Sequence, residues 1–280
     1  MSAPALEELL TRATALPSLP EVVSHVLNSL NDEQADVDFL VHHINTDPAI
    51  VARLLATANS SAFGLTTKID STRQAFMVLG VDRVRGIILS SALIHRFDAR
   101  TDSFDASMLW RHSLGVAICA RVIAERLGGK PELAFTAGLL HDIGQLLMFA
   151  AAPEQYDQVL RTKQESDCSL LAAEQAIFGY DHAVVGQALA QAWRLPRSIA
   201  EAIAAHHEPD EFDSEMGDLV HIAEVLSHAL DLGELPNNRV PALSVESGAR
   251  LGLEWSEFSR CFPEIEARYR GLAQALGLSV

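Results

Sequence analysis

The sequence predicts an all-α protein, and three observations carry that reading. Ala and Leu are abundant while aromatic residues make up only 6% of the 280 residues. Ala and Leu lose little side-chain freedom in a helix, so this composition favours helices over sheets. Residues that start and stop helices recur along most of the chain, with apolar residues at helical spacing between them. No run of alternating β-branched residues is long enough to demand a strand, and no fixed-period repeat is visible.

The elements follow in order. Pro17 and Pro20 bracket Leu19, after which Val22, Val26, Leu27 and Leu30 recur at helical spacing. Asp36 is placed to cap a short helix carrying Phe39, Leu40 and Ile44. Asp47-Pro48 is a strong start signal, because the Asp accepts from free N–H groups and Pro stands where no donor is needed. Ile50, Val51, Leu54, Leu55 and Ala58 then form an apolar stripe. Ser71 caps the segment with Ala75, Phe76 and Leu79, and Gly80 ends it. Val84, Ile87, Ile88, Ser91 and Ala92 continue in another helix.

The polar, acidic stretch FDARTDSFDAS (residues 97–107) reads as a linker between two helical lobes. Residues 108–127 make a long helix ended by Gly128-Gly129, and Pro131 starts the next, predicted to carry His141-Asp142. Asp181 caps a helix through Val184, Val185, Ala188 and Leu189 that ends near Trp193. Pro196 opens the helix leading to His206-His207, and Asp218 to Leu230 is another. From Asp231 to Val245 the chain reads as loop, with Gly233, Pro236, Asn237, Asn238 and Pro241, before a last helix from Trp255 to Leu276. The expected organisation is an N-terminal helical lobe over residues 1–100, a helical bundle over 101–230, and a loop and helix over 231–280 completing the bundle.

A hydrophobic fraction of 49% is ample for a buried core, and the formal charge of −16 repels phosphate backbones. No basic patch beyond Arg83 and Arg85 offsets that charge, so nucleic acid is not expected as a partner. Those two arginines are read as part of a solvated helix face. Cys119, Cys168 and Cys261 are odd in number and lack CxxC spacing, and MSAPALEELL lacks a basic leader region. They are read as unpaired thiols in a reducing cytosol. No apolar run reaches about 18 residues, so no membrane span is expected and a cytoplasmic location is.

The chemistry-bearing feature is a series of His and acidic residues: His112, His141-Asp142 inside LLHDIGQLL, His182, His206-His207 and Glu224. They are too far apart for a short zinc loop, but one group per helix can converge in a bundle core. Imidazole and carboxylate without thiolate suit Fe, Mn or Zn, as one ion or two. The residues leave open whether this is a working metal site or a scaffold put to another use. His25, His42, His43, His95, His221 and His228 lie outside the series, and surface or capping roles are expected for them. His221, three residues from Glu224, shares its helix face and is the exception to watch. Trp110 and Trp193 are expected in packing roles, and the acidic stretch 208–218 as an exposed loop.

LPSLPEVV, INTDPAIVARLLATANSSAFG and FMVLGVDRVRGIIL occur in order ahead of the His-Asp series. Together they resemble the HDOD family, bacterial signalling relatives of the HD phosphohydrolases. The resemblance runs over residues 15 to 230, and residues 231–280 match no motif. It implies an HD-like helical lobe behind the N-terminal one. The second half is also similar to HD-GYP cyclic-dinucleotide phosphodiesterases. Their ligand positions fall on His112 in WRHS, the pair His141-Asp142, His182 in DHAVVGQALA, His206-His207 in AIAAHHEP, and Glu224 in VHIAEVLS, where the family carries Asp.

Two further departures bear on catalysis. The lysine after the HD pair is Gln145 here, a residue that could still contact a ligand but lacks the cation that steadies phosphoryl charge. The Gly-Tyr-Pro segment is replaced by HHEPDEFDSE. The resemblance therefore implies a regulatory interaction scaffold with a degenerate metal site, whose partners are other signalling proteins. Two alternatives are a metal-dependent phosphohydrolase acting on a cyclic dinucleotide or nucleotide, and a module that binds a small anionic messenger without turnover.

Overall fold

The computed structural model of the chain describes residues 3–14, 21–30, 36–60, 63–66, 68–96, 101, 104–233 and 239–278. Pro17, Leu19, Pro20, Pro236, Asn237, Asn238, the side chain of His95 and most of the 97–103 stretch lie outside the described residues. Within them every regular element is a helix.

Capping side chains set where the helices begin. Asp36 Oδ1 accepts from the N–H groups of Asp38 and Phe39 to start α3 (Val37–Ile44), and Asp47 Oδ1 accepts from Ala49 and Ile50 to start α4 (Pro48–Ala58). Ser71 starts α5 (Thr72–Leu79) by accepting from Gln74 N–H, and Gly80 at φ +83° ends it. These helices pack with α2 (Glu21–Ser29) and α6 (Val81–Arg96) into the first lobe. The earliest helix, α1 (Leu6–Thr14), is not marked in the sequence reading and seats away from these helices: it packs on α9 (Ile143–Ala151) and α12 (His182–Ala192), and Tyr180 Oη donates to the Pro4 carbonyl.

The second lobe is built round α7 (Ala106–Leu127), buried along nearly all of its middle and closed by Gly128 in the left-handed region. α8 (Pro131–Leu140) and α14 (Glu215–Ala229) lie against it, with α13 (Arg197–Ala205) touching α8, α12 and α14. The crossing of α7 and α8 depends on Gly138, where an added Cβ would stand 2.9 Å from the Ala117 backbone. α10 (Pro153–Ser166) and α11 (Leu170–Phe178) complete this lobe and were also unread. After α15 (Val245–Arg250) and α16 (Trp255–Phe258), the last helix α17 (Phe262–Ala275) packs on both α7 and α4 and so touches both lobes.

Several expectations are corrected. The helix from Pro131 ends at Leu140, and His141-Asp142 form a turn ahead of α9. Asp142 leaves helical geometry at φ −101°, ψ 11°, while the His141 ring Nδ1 binds the Gly138 carbonyl at 2.7 Å. The expected helix from Trp255 to Leu276 is broken by a 3-10 turn over Ser259–Cys261, because Pro263 in the first turn of α17 has no N–H to continue the ladder. α14 starts at a Ser214 cap, and Asp218 is buried against Arg250 instead of opening the helix or lying in an exposed loop. The described end of the 97–107 stretch is not all linker: Phe104 is buried on Phe149 and Asp105 caps α7. Arg85 is buried and paired with Asp82, so only Arg83 stays on a half-open face, paired with Glu132.

Trp110 is buried and Trp193 packs at the edge of the core. All three cysteines are free. The stretch Pro131–Ala151 is apolar enough and long enough to cross a membrane, but 89% of its most apolar window is buried inside the protein, and it forms the core pair α8 and α9.

Candidate metal centre

Five elements bring side chains together around Asp142. The turn between α8 and α9 supplies His141 and Asp142 itself, α7 supplies His112, the first residue of α12 is His182, the end of α13 supplies His206 and His207, and α14 supplies Glu224. Asp142 Oδ1 lies 3.1 Å from His182 Nε2 and 3.7 Å from His206 Nε2. Its other oxygen, Oδ2, lies 3.4 Å from His141 Nε2 and 3.9 Å from His112 Nε2. His207 Nε2 is 2.9 Å from His182 Nε2, and its Nδ1 is 3.9 Å from Glu224 Oε1.

The seven side chains form two groups, Asp142 with His182, His206 and His207, and His112 with His141 and Glu224. Within each group the ligand atoms lie within 4.8 Å of one another. Asp142 stands between them, one oxygen toward each.

The hydrogen bonds behind the rings decide which nitrogen faces the centre. His141 Nδ1 and His206 Nδ1 each lie 2.7 Å from a backbone carbonyl, Gly138 and Ile203. A carbonyl can only accept, so these nitrogens carry the proton and each Nε2 presents a lone pair. His182 Nδ1 is held likewise by Glu174 Oε2 at 2.7 Å, the carboxylate-histidine support found behind metal ligands. His141 Nε2, His206 Nε2, His112 Nδ1 and Asp142 Oδ1 are buried without a hydrogen-bond partner. Such orphaned atoms are costly, and a cation among them would satisfy those that face it. The donor set thus fits a divalent ion of the Fe, Mn or Zn type.

Electrostatics agrees at three of the histidines and at Asp142, and runs the other way at His182 and Glu224. Burial pushes His112 down to about 3, reinforced by His141, and burial pushes His141 down to about 4 against the pull of Asp142. His207 falls well below its ordinary value through burial and the neighbouring His206. All three are neutral near pH 7, the state that coordination needs. Burial alone would raise Asp142, but His141, His182 and His206 outweigh it and hold the carboxyl well below the usual range. For His182 burial is outweighed by Glu174 and Asp142, and it holds a proton. Burial lifts Glu224 to about 7.

Gln145 does not join the centre: its Oε1 lies 3.3 Å from Tyr156 Oη, which is equally close to Glu174 Oε1. His221 supports from behind, with Nδ1 on the His206 carbonyl. Two residues near the centre were missed in the sequence. Glu174 is wholly buried in α11, and its signal was a lone acid in the apolar run LLAAEQAIF. His228, one turn after Glu224, packs its ring 4.7 Å from that of His112. His25, His42 and His43 cluster in the first lobe.

The centre is enclosed. Of the seven, only His207 is appreciably exposed, and it opens on a hollow of about 470 Å³. Asp181, Glu208 and Glu211 line that hollow, and among the described residues no Lys or Arg does.

The family model for the HDOD domain matches residues 16–209. An HDOD domain protein of unknown function from Geobacter sulfurreducens has the same fold, with a TM-score of 0.76 at 29% identity over 95% of this chain and 98% of that one. A phosphohydrolase candidate from Shewanella amazonensis SB2B superposes with a TM-score of 0.78 at 24% identity, covering 96% and 98% of the two chains, which speaks to fold alone. Among curated proteins, an uncharacterised protein of Treponema pallidum is 24% identical over 82% of this chain and 45% of its own length. Ribonuclease Y of Clostridium tetani is 32% identical over 49% of this chain and 21% of its own length. The chain thus spans less than half the length of these curated relatives.

Proposed function

The chain belongs to the HDOD domain family, and on that premise we propose that it is a regulatory protein whose helical lobes form an interaction scaffold braced by metal at Asp142. The observation that carries the bracing is the set of buried, unpartnered ligand atoms on His141, Asp142 and His206. His112, His141, Asp142, His182, His206, His207 and Glu224 would hold one or two ions. Bound there, an ion would supply positive charge between α7, α12, α13 and α14 and tie those helices together.

Three features favour bracing over turnover. The ligands are buried apart from His207. Among the described residues, the hollow beside His207 carries carboxylates and no cationic side chain to meet a phosphate diester. Gln145 stands where the related enzymes carry lysine, and it is turned to Tyr156. The protein would act in the bacterial cytoplasm, with other signalling proteins as partners.

The test is elemental analysis of the purified protein, then melting before and after mild extraction with a strong chelator. Bound metal and a lower melting temperature after extraction are expected. No metal and an unchanged melt defeat the bracing. The second reading, a metal-dependent phosphohydrolase on a nucleotide or cyclic dinucleotide, draws on the two-sided placement of Asp142 between ligand groups. It prevails if added Mn or Fe gives diester turnover that His141→Ala abolishes. Binding of a messenger without turnover would appear as heat on mixing with cyclic dinucleotides, where the scaffold gives none.

A further inference from the structure

We propose that Glu21, His25 and His43 form a second metal site, a surface clip for a borderline divalent cation such as Zn²⁺ that ties α2 to α3. It shares no residue with the seven around Asp142. Glu21 and His25 stand four apart on α2, hence on one helix face, and His43 sits in the last turn of α3. One ligand atom from each lies within 4.8 Å of the other two.

The His25 ring explains why the cluster is more than a chance meeting of surface side chains. Its Nε2 is shut off from water, makes no hydrogen bond, and stands 3.5 Å from Glu21 Oε1. The His25 and His43 rings are only 4.0 Å apart between centroids, tilted by 34°. Phe39 meets His25 edge-on at 5.2 Å and His43 at 4.3 Å, which limits how either imidazole can turn away. An unsatisfied nitrogen held beside a second imidazole and a carboxylate is a cation's coordination shell in outline.

Two imidazoles and one carboxylate are the protein ligands of open tetrahedral zinc sites, with the fourth place left to water. The imidazoles select against Mg²⁺ and Ca²⁺, which take oxygen ligands. Bonds of about 2.0–2.1 Å require the ligand atoms to draw closer than they stand. The Glu21 side chain, 85% exposed, is free to swing in, and His43 is half-buried. α2 and α3 already pack on each other, α2 also on α6 and α3 on α5 and α4, so an ion here would reinforce that seam of the first lobe.

The experiment counts Zn²⁺ bound to the full chain after dialysis, with circular dichroism to verify folding. In an Asp142→Ala background, which removes the carboxylate shared at the other centre, one equivalent is expected to remain. Adding His25→Ala or His43→Ala should abolish it, and Glu21→Gln should weaken it without loss of helix content. Zinc should raise the melting temperature of Asp142→Ala and leave that of Asp142→Ala/His25→Ala unmoved. Should Asp142→Ala fold poorly, the count in the otherwise unaltered chain must still drop by one on His25→Ala. Equal zinc content with and without His25 and His43 overturns the clip. Loss of metal only on Asp142→Ala also overturns it and leaves the bracing at Asp142 standing. Zinc that depends only on His25 and His43 does the reverse.

Discussion

His221 donates from Nδ1 to the main-chain carbonyl of His206 at 2.7 Å, and its Nε2 accepts the Ser244 N–H at 3.0 Å. The imidazole is thus a rivet between the end of α13, where two ligand histidines leave the helix, and the segment that leads into α15. Ser244 Oγ in turn donates to Asp210, which together with buried Asp218 holds Arg250. Residues beyond the family match are therefore wired to the backbone of His206.

His221→Phe keeps the ring volume and removes both bonds. Metal affinity, measured by competition with a chromophoric chelator, should fall roughly tenfold, the usual size for loss of a supporting contact. An unchanged affinity would show that His206 needs no such anchor.

The metal-free protein should be less stable at about pH 5 than at about pH 7 in urea titrations. His112, at about 3, His141, at about 4, and the depressed His207 stay neutral when folded, whereas the unfolded chain protonates them below 6.5. Their stability is whole above 6.5 and is lost as pH falls below it. Glu224 works the other way: raised to about 7, its contribution is present below the ordinary carboxyl value of 4.5 and is lost as pH rises through 7. His182, raised well above its ordinary value, also works this way, its contribution present below 6.5 and lost as pH rises toward its raised value, while the lowered His221 sides with the three. Four groups oppose two, so acid weakens the fold, by about 1.4 kcal/mol per pH unit for each net proton. Greater stability at the lower pH would contradict the buried neutral histidines.

Gly144→Ala should be among the most damaging single-methyl changes in the chain. A Cβ there would collide with the His182 carbonyl, and the Gly186 nitrogen stands 2.9 Å away. Neither is a side chain that can swing aside, so α9 and α12 must separate, at a cost of about 1–3 kcal/mol. Since His182 is a ligand candidate, bound metal measured by elemental analysis should fall along with the melting temperature.

The parts of this fold that were legible in the sequence are those governed by local chemistry. Asp36, Asp47, Ser71 and Asp181 cap as their side chains dictate, and Gly80 and Gly128 terminate helices in backbone regions that favour glycine. The convergence of His112, His141, Asp142, His182, His206, His207 and Glu224 was legible as one group per element. The end of α8 was not, because every residue from Ala134 to Leu140 is buried and no polar face marks where the helix stops. Glu174 was hidden for a related reason: an acid amid apolar residues gains meaning only when His182, eight residues on, folds back onto it. The bond between buried Asp218 and exposed Arg250 joins segments 32 residues apart, a distance over which spacing carries no signal.

The seat of α1 on α9 and α12 has its own consequence. Leu9 is wholly buried there, with Leu6 and Leu10 packed beside it, although more than a hundred residues separate this helix from its resting place. The polypeptide's two halves are laced through each other and do not simply abut. A fragment begun after the first lobe would leave an oily socket on α9 and α12 open to water, so the second lobe is not expected to stand unchanged without the chain's first helix.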